Sequence, residues 1–340
     1  MNKQLLAELC ALDGVSGHEH NIRDYILDRL HTSDVPMEVH TDNMGNIIVH
    51  LIGKTKANHV VQFDAHMDEV GFIITNIGDD GFLRFSTVGG IDSRALYGHR
   101  VRIGSQKGVI GGKAGHQCHG DEGKKVPSVD SLTIDIGAEN KEEAEKLVKI
   151  GACGTFDNDL TWIGDDAFLG KAVDDRVGCM LLLEMAKQQP ERDIWLSFSV
   201  QEEIGLRGAG VATEAIHPDY AVAIDATTAA DVAGNSPEQS VCFVGKGAVV
   251  SFADRATLYD PELYQRIRAL ADEKGIPTQT KTLVAGGNNA GAMQGRNTGV
   301  RMTAISLPCR YIHSSACMGR LTDVQAMYDL LTLLAQELTK

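Results

Sequence analysis

The sequence predicts an α/β protein whose chain is interrupted by a small all-β insert. Three observations carry that expectation. Short apolar runs rich in β-branched residues, such as 194–200 and 220–224, alternate with amphipathic helical segments, the pattern of a mostly parallel sheet covered by helices. Between residues 70 and 162 this texture gives way to brief apolar runs broken by closely spaced glycines, which reads as a β-barrel or sandwich. Several of the buried strands also end in acids or histidines, at the edge where open α/β sheets bind ligands.

The bulk composition supports a globular chain with room for two domains: 340 residues, 43% hydrophobic and 23% charged. A net charge of −14 excludes nucleic acid as the expected partner, because phosphate binding needs clustered Lys and Arg. No apolar run approaches the roughly 20 residues that span a bilayer, and the first residues are too charged for a signal peptide. Seven cysteines without a CxxC pair fit reduced thiols, so the expected compartment is the cytoplasm.

Taken in order, residues 3–12 and 18–31 have helical apolar spacing, and the turn at 43–46 followed by the run 47–52 reads as a β-hairpin. Residues 59–63 form a strand, after which Asp64, His66, Asp68 and Glu69 follow. His66 with Asp68 fits a metal ligand and the carboxylate that orients its ring. In the insert a short helix is expected over 141–150; His116 and His119 have no nearby acid in sequence and read as structural or surface residues. The α/β texture resumes at GKAVDDRVGCMLLLEMAKQQ, where Asp174 and Asp175 open an apolar helix over 175–188. One acid suffices as a cap, which leaves the other free. The strand in DIWLSFSVQEEIG ends in Glu202 and Glu203, and the strand 220–224 ends in Asp225. Helices follow over 208–215 and 261–274; GGNNAGAM opens a helix N-terminus, a strand at 300–307 leads to His313, and a helix over 322–338 closes the chain.

Two imidazoles and several carboxylates therefore converge at one sheet edge, and so many buried acids require cations. Nitrogen and oxygen donors without thiolates suit zinc, cobalt or manganese. Their number suits two divalent ions about 3.5–4 Å apart with a bridging carboxylate, one glutamate remaining as general base.

The segments AHMDEVG (65–71), GKAVDDRVG (170–178), SVQEEIGLRGA (199–209), AIDAT (223–227) and RYIHS (310–314) resemble, in order, the motifs of the tetrahedral-type dinuclear metalloaminopeptidases. This is the family of glutamyl and deblocking aminopeptidases, some of them labelled endoglucanases. The resemblance implies a zinc-aminopeptidase-like, three-layer α/β/α catalytic domain (1–69 plus 163–340) and an inserted small β-barrel (70–162). That insert would serve dimerisation, with dimers assembling into a dodecamer. It implies that His66, Asp174 and Asp225 hold one metal and that Asp174, Glu203 and His313 hold the other, with Asp174 bridging. Glu202 would be the general acid/base on a metal-bridging water, and Asp68 would orient His66. The bond between Asp174 and Asp175 is expected to be cis. The implied reaction removes the N-terminal residue from short peptides.

Two departures stand out. Relatives usually carry Thr or Ser and then Asp where this chain has Asn288 and Asn289, and many carry Glu where it has Cys317. None is a metal-ligand position, and both places are expected beside the substrate, where they bear on preference and rate. They also motivate a rival reading, a catalytically weak metal-binding assembly. A glycoside hydrolase is a weaker rival, since adjacent Glu202 and Glu203 need not straddle a glycosidic bond and aromatics are only 5%.

Overall fold

A computed structural model of the protein describes every residue except Asp121, and of Glu122 the backbone alone. Its centre is an eight-stranded sheet in the order β1 (Met37–Thr41), β2 (Ile47–Leu51), β12 (Ile194–Ser199), β3 (Val61–His66), β13 (Tyr220–Thr228), β16 (Arg301–Cys309), β14 (Ala248–Val250) and β15 (Thr278–Thr280). The middle strands β12, β3, β13 and β16 run parallel, so their C-terminal ends share one edge.

Helices α1 (Lys3–Ala11), α2 (His20–His31), α4 (Val173–Met185), α6 (Pro261–Lys274) and α8 (Leu321–Glu337) contribute to the large core on one face. On the other face lie α5 (Arg207–Ile216) and the short α7 (Ala290–Met293). Strand alternation divides the two cores: Val222 and Ile224 of β13 enter the first, Ala221 and Ala223 the second. The result is the expected three-layer arrangement.

The insert is a closed barrel rather than a sandwich. Its strands run in the order β4 (Gly71–Ile77), β5 (Leu83–Val88), β8 (Thr133–Asp135), β7 (Gln106–Gly111), β6 (Arg100–Ile103) and β9 (Cys153–Phe156). Helix α3 (Lys141–Leu147) packs its Ala144 into the barrel core, where Phe72 meets Phe85 and Phe156 edge to face. At the junction, Arg102 bonds to Asp13 and to the Ala11 carbonyl. A separate three-stranded sheet, β10 (Thr161–Ile163), β11 (Ala167–Gly170) and β17 (Cys317–Arg320), was not foreseen from the sequence.

Three local differences matter for function. Strand β3 reaches His66, which makes that residue its last. Strand β13 continues to Thr228, so Asp225 lies within a strand rather than at its end. Helix α4 ends at Met185, and its first turn is irregular: Asp174 and Asp175 have non-helical backbone angles and are joined by the expected cis bond. Asp175 Oδ1 accepts from Gly178 N at 2.9 Å, the capping role that leaves Asp174 free. Among the described residues no helix is long and apolar enough to cross a membrane.

Candidate functional site

The parallel pairing sets Ser199 beside His66, so β12 and β3 finish together and the chain beyond Ser199 runs over the end of β3. Asp68 anchors that crossing. Its carboxylate accepts from Glu202 N at 2.9 Å, Glu203 N at 3.1 Å and Ser16 Oγ at 2.6 Å. The two adjacent glutamates are thereby fixed to the same short loop that positions His66. The closest partner of His66 Nδ1 is the Asp68 carbonyl, at 3.0 Å, with the Asp68 carboxylate at 3.4 Å.

Asp174 occupies the middle. One of its oxygens lies 3.1 Å from His66 Nε2 and the other 3.3 Å from His313 Nε2. Asp225 Oδ1 lies 3.8 Å from His66 Nε2, and Glu203 Oε2 lies 3.2 Å from His313 Nε2. The second imidazole is held from the barrel side, its Nδ1 2.8 Å from the Gly90 carbonyl. Glycine is needed at the neighbouring position: Gly89 has φ +79°, and a Cβ there would meet Val70 at 2.8 Å and Glu203 at 3.3 Å.

Behind this group lies a second layer of buried charge. Glu69 accepts from Lys171 Nζ at 2.9 and 3.1 Å and from Gly14 N at 3.0 Å, with Arg176 Nη2 at 3.6 Å. Arg176 Nε donates to the Met67 carbonyl at 3.1 Å. The two cations bracket the segment that presents Asp174.

The site is short of positive charge. Among the described residues, no Lys or Arg ion-pairs with Asp174, Glu202, Glu203 or Asp225. Burial and the Asp174 charge push Glu203 up to about 8 and Asp225 up to about 7. Burial, with Asp225 and Glu203 adding to it, holds Glu202 well above the carboxylate range. Burial would raise Asp174 too, but its bonds to His313 and His66 outweigh it and hold that carboxyl far down. Burial disfavours charge on both rings, yet the facing carboxylates raise His313 to about 10 and His66 well above its usual value.

These contacts test whether a metal fits. Each Nδ1 faces a backbone carbonyl, which can only accept, so each ring carries its proton there. Each Nε2 then meets carboxylate oxygens, a contact that holds only with positive charge at that nitrogen, either a second ring proton, which the raised His66 and His313 values favour, or a metal ion in its place. His66 with Asp174 and Asp225, and Asp174 with Glu203 and His313, form donor sets whose atoms lie within 4.8 Å of one another. Nitrogen and oxygen donors of this kind suit zinc, cobalt or manganese. A metal fits.

All seven residues singled out from the sequence thus meet in one place: His66, Asp68, Asp174, Glu202, Glu203, Asp225 and His313. The two departures need correcting. Asn289 (3% exposed) and Cys317 (1% exposed) are buried and do not line the adjoining cavity; of these positions only Asn288 does. Asn289 Nδ2 instead donates to Asp64 Oδ2 at 2.7 Å and Ser199 Oγ at 2.9 Å, within a buried polar chain that also joins Ser197 to Asp64. Sequence reading missed Ser16, the Gly90 carbonyl and Lys281, which shares the cavity with the carboxylates.

The family model described as M42 glutamyl aminopeptidase matches residues 45–330. The chain belongs to this family. As a member it is a metallo-aminopeptidase, a hydrolase. A lysyl aminopeptidase of Pyrococcus furiosus is 35% identical, with 98% of this chain and 97% of the relative covered. The aminopeptidase APDkam598 of Desulfurococcus kamchatkensis superposes with a TM-score of 0.92 at 33% identity, covering 98% and 94% of the two chains. The TET1 peptidase of Pyrococcus horikoshii, described as assembling into a tetrahedron or a large octahedral shell, gives a TM-score of 0.86 at 33% identity, with 98% of each chain covered.

Proposed function

We propose that this chain removes the N-terminal residue of short peptides at a two-metal site held by His66, Asp174 and Asp225 on one side and by Asp174, Glu203 and His313 on the other. The observation that carries the reading is Asp174, whose two oxygens face two separate Nε2 atoms. Two bound dications of zinc, cobalt or manganese would supply the Lewis acidity that polarises a scissile carbonyl and acidifies water.

The protein's own part centres on Glu202. It lines the cavity, and its side chain makes no hydrogen bond among the described residues, unlike the carboxylates that face the rings. Glu202 takes the proton of the attacking water and returns it to the leaving amine. Asp68 keeps that carboxylate in reach by fixing the backbone at 202 and 203. The acidic end of the cavity also receives the free α-amine, which favours an exopeptidase.

Residues 1–69 and 163–340 then form the catalytic unit, and 70–162 an insert used in dimerisation. A homo-oligomer built from dimers, as large as a dodecamer, accords with the shells described for the Pyrococcus horikoshii relative, and the cytoplasm suits the reduced thiols. The family's name reads glutamyl and the Pyrococcus furiosus relative's reads lysyl, so membership leaves the preferred residue open.

Glu202→Gln should keep its metal content by elemental analysis while hydrolysis of aminoacyl-p-nitroanilides falls by about 10²–10⁴. Near-full activity in that variant would remove Glu202 from the role. Chelation should abolish turnover, with zinc, cobalt or manganese restoring it. Glycoside hydrolysis that survives chelation would favour the glycosidase reading, and full metal occupancy without turnover on any aminoacyl substrate the weak-assembly reading.

A further inference from the structure

Strand β12 ends at Ser199, and beyond it the next four N–H groups are all taken by side-chain oxygens. Val200 N donates to Asn46 Oδ1 at 2.9 Å, Gln201 N to Glu19 Oε1 at 3.1 Å, and Glu202 N and Glu203 N to the Asp68 carboxylate. Gln201 has φ +57°, in the left-handed region that a residue with a Cβ seldom adopts. Such a conformation persists where its surroundings over-determine it. The Gln201 carbonyl is held from the other side by Arg207 N, at 3.1 Å. Glu202 follows directly. No hydrogen bond fixes its side chain among the described residues, so the backbone turn must set its direction.

Glu19 is 6% exposed, and its Oε1 also accepts from Gly17 N at 2.7 Å. The loop that carries it is registered to the end of β3: Val15 pairs with Glu69, and Ser16 Oγ donates to Asp68 Oδ2 at 2.6 Å. Glu19 stands just before helix α2, yet its side chain does not cap that helix. No cation ion-pairs with it among the described residues, and burial, with the Asp68 charge adding to it, raises its carboxyl above the ordinary value. A buried acid beside another acid is costly, and its two bonds from amide N–H groups offset that cost.

We propose that Glu19 is a positioning residue for peptide hydrolysis: by accepting from Gln201 N it holds the left-handed turn that aims the Glu202 carboxylate into the cavity. The inference rests on the acid/base reading of Glu202. Asp68 serves the same loop but also faces the His66 ring, whereas the Glu19 carboxylate bonds to backbone alone. Without this acceptor the Gln201 N–H is left unpaired and the turn relaxes toward commoner backbone angles. Glu202 then swings away from the water it must deprotonate. The groups that hold metal and substrate are untouched.

The test measures kcat, KM and metal content of the metal-loaded enzyme on the aminoacyl-p-nitroanilide it cleaves fastest. Glu19→Met fills the space without an acceptor, and Glu19→Gln keeps an oxygen at the Oε1 position. Both are also made in the Glu202→Gln background, assayed at high enzyme concentration over long incubations. Glu19→Met should lower kcat by about 10- to 100-fold, the cost of a small misplacement of a catalytic group, with KM and metal content unchanged. Glu19→Gln should stay close to the native rate. In the Glu202→Gln background, Glu19→Met should cost almost nothing further, because no base is left to aim. Native kcat in Glu19→Met, or a Glu19→Gln enzyme as slow as Glu19→Met, overturns the proposal. So does a loss that appears in KM or metal content, or one of equal factor in both backgrounds, since Glu19 would then be merely structural. If Glu19→Met does not fold, Glu19→Ala gives the same readings. Failure of the underlying reading has its own signature: Glu202→Gln alone would run near the native rate, and Glu19 would have nothing to aim.

Discussion

Glu69→Gln removes the anion from a buried group of three charges. Glu69 is 2% exposed and Lys171 1%, so water cannot enter to replace the lost partner. The substituted amide can leave its oxygen at the Oε1 position, where it still accepts from Gly14 N and Lys171, but its NH2 group then stands at the Oε2 position and points at the Lys171 ammonium 3.1 Å away. Breaking a buried ion pair from one side costs about 3–5 kcal/mol. An unfolding entropy of roughly 2.1 cal/mol/K per residue amounts to about 0.7 kcal/mol/K over 340 residues, so the melting temperature should fall by about 4–7 °C. Differential scanning calorimetry at one scan rate and one metal loading measures it. The double variant Glu69→Gln/Lys171→Met, which removes the stranded cation as well, should recover most of the loss. A single variant that melts within about 1 °C of the native protein, or a double variant no better than the single, would refute the reasoning.

Asn289→Asp, which installs the acid that relatives usually carry, should destabilise this chain by roughly 3 kcal/mol in urea unfolding, because Asp64 loses an N–H donor and faces a second acceptor in a dry site. An unchanged midpoint would mean that Asp64 does not need that donor. Burial pushes the Asp13 carboxyl up, but Arg102, Lys171 and Thr155 outweigh it and hold it below its ordinary value. A lowered folded value stabilises above the unfolded value of about 3.9 and is lost as pH falls through the folded one, so stability should drop below about pH 4. Asp13→Asn should flatten that acid limb in pH-dependent melting, and an unaltered limb would count against the Arg102 clamp.

The site was legible because its chemistry is written in residue types that seldom appear at buried strand ends. His66, Glu202, Glu203 and His313 each follow an apolar run that has few other readings, and the long amphipathic helices α6 and α8 show their period plainly. What the sequence hid has physical causes. In a strand buried on both faces no alternation marks the end, so β13 runs three residues past Asp225 unseen. Strands of three residues, β14 and β15, have no pattern of their own and exist through pairing with β16 and with each other. Local sequence also does not say which way a side chain turns, so Asn289 and Cys317 looked like cavity residues although both face inward. A carbonyl such as that of Gly90 carries no signature at all, since every residue has one.

That carbonyl has a consequence for anyone who would rebuild this protein. It comes two residues after a barrel strand, yet it orients the imidazole of His313. Trimming the insert to a tight turn would leave six of the seven site side chains where the sheet and its loops put them, and the last would lose the atom that aims it. The barrel is therefore not an accessory that can be swapped between relatives at will. Any graft must reproduce the path of the backbone through Gly89 and Gly90, and its success is measured by the seating of one ring.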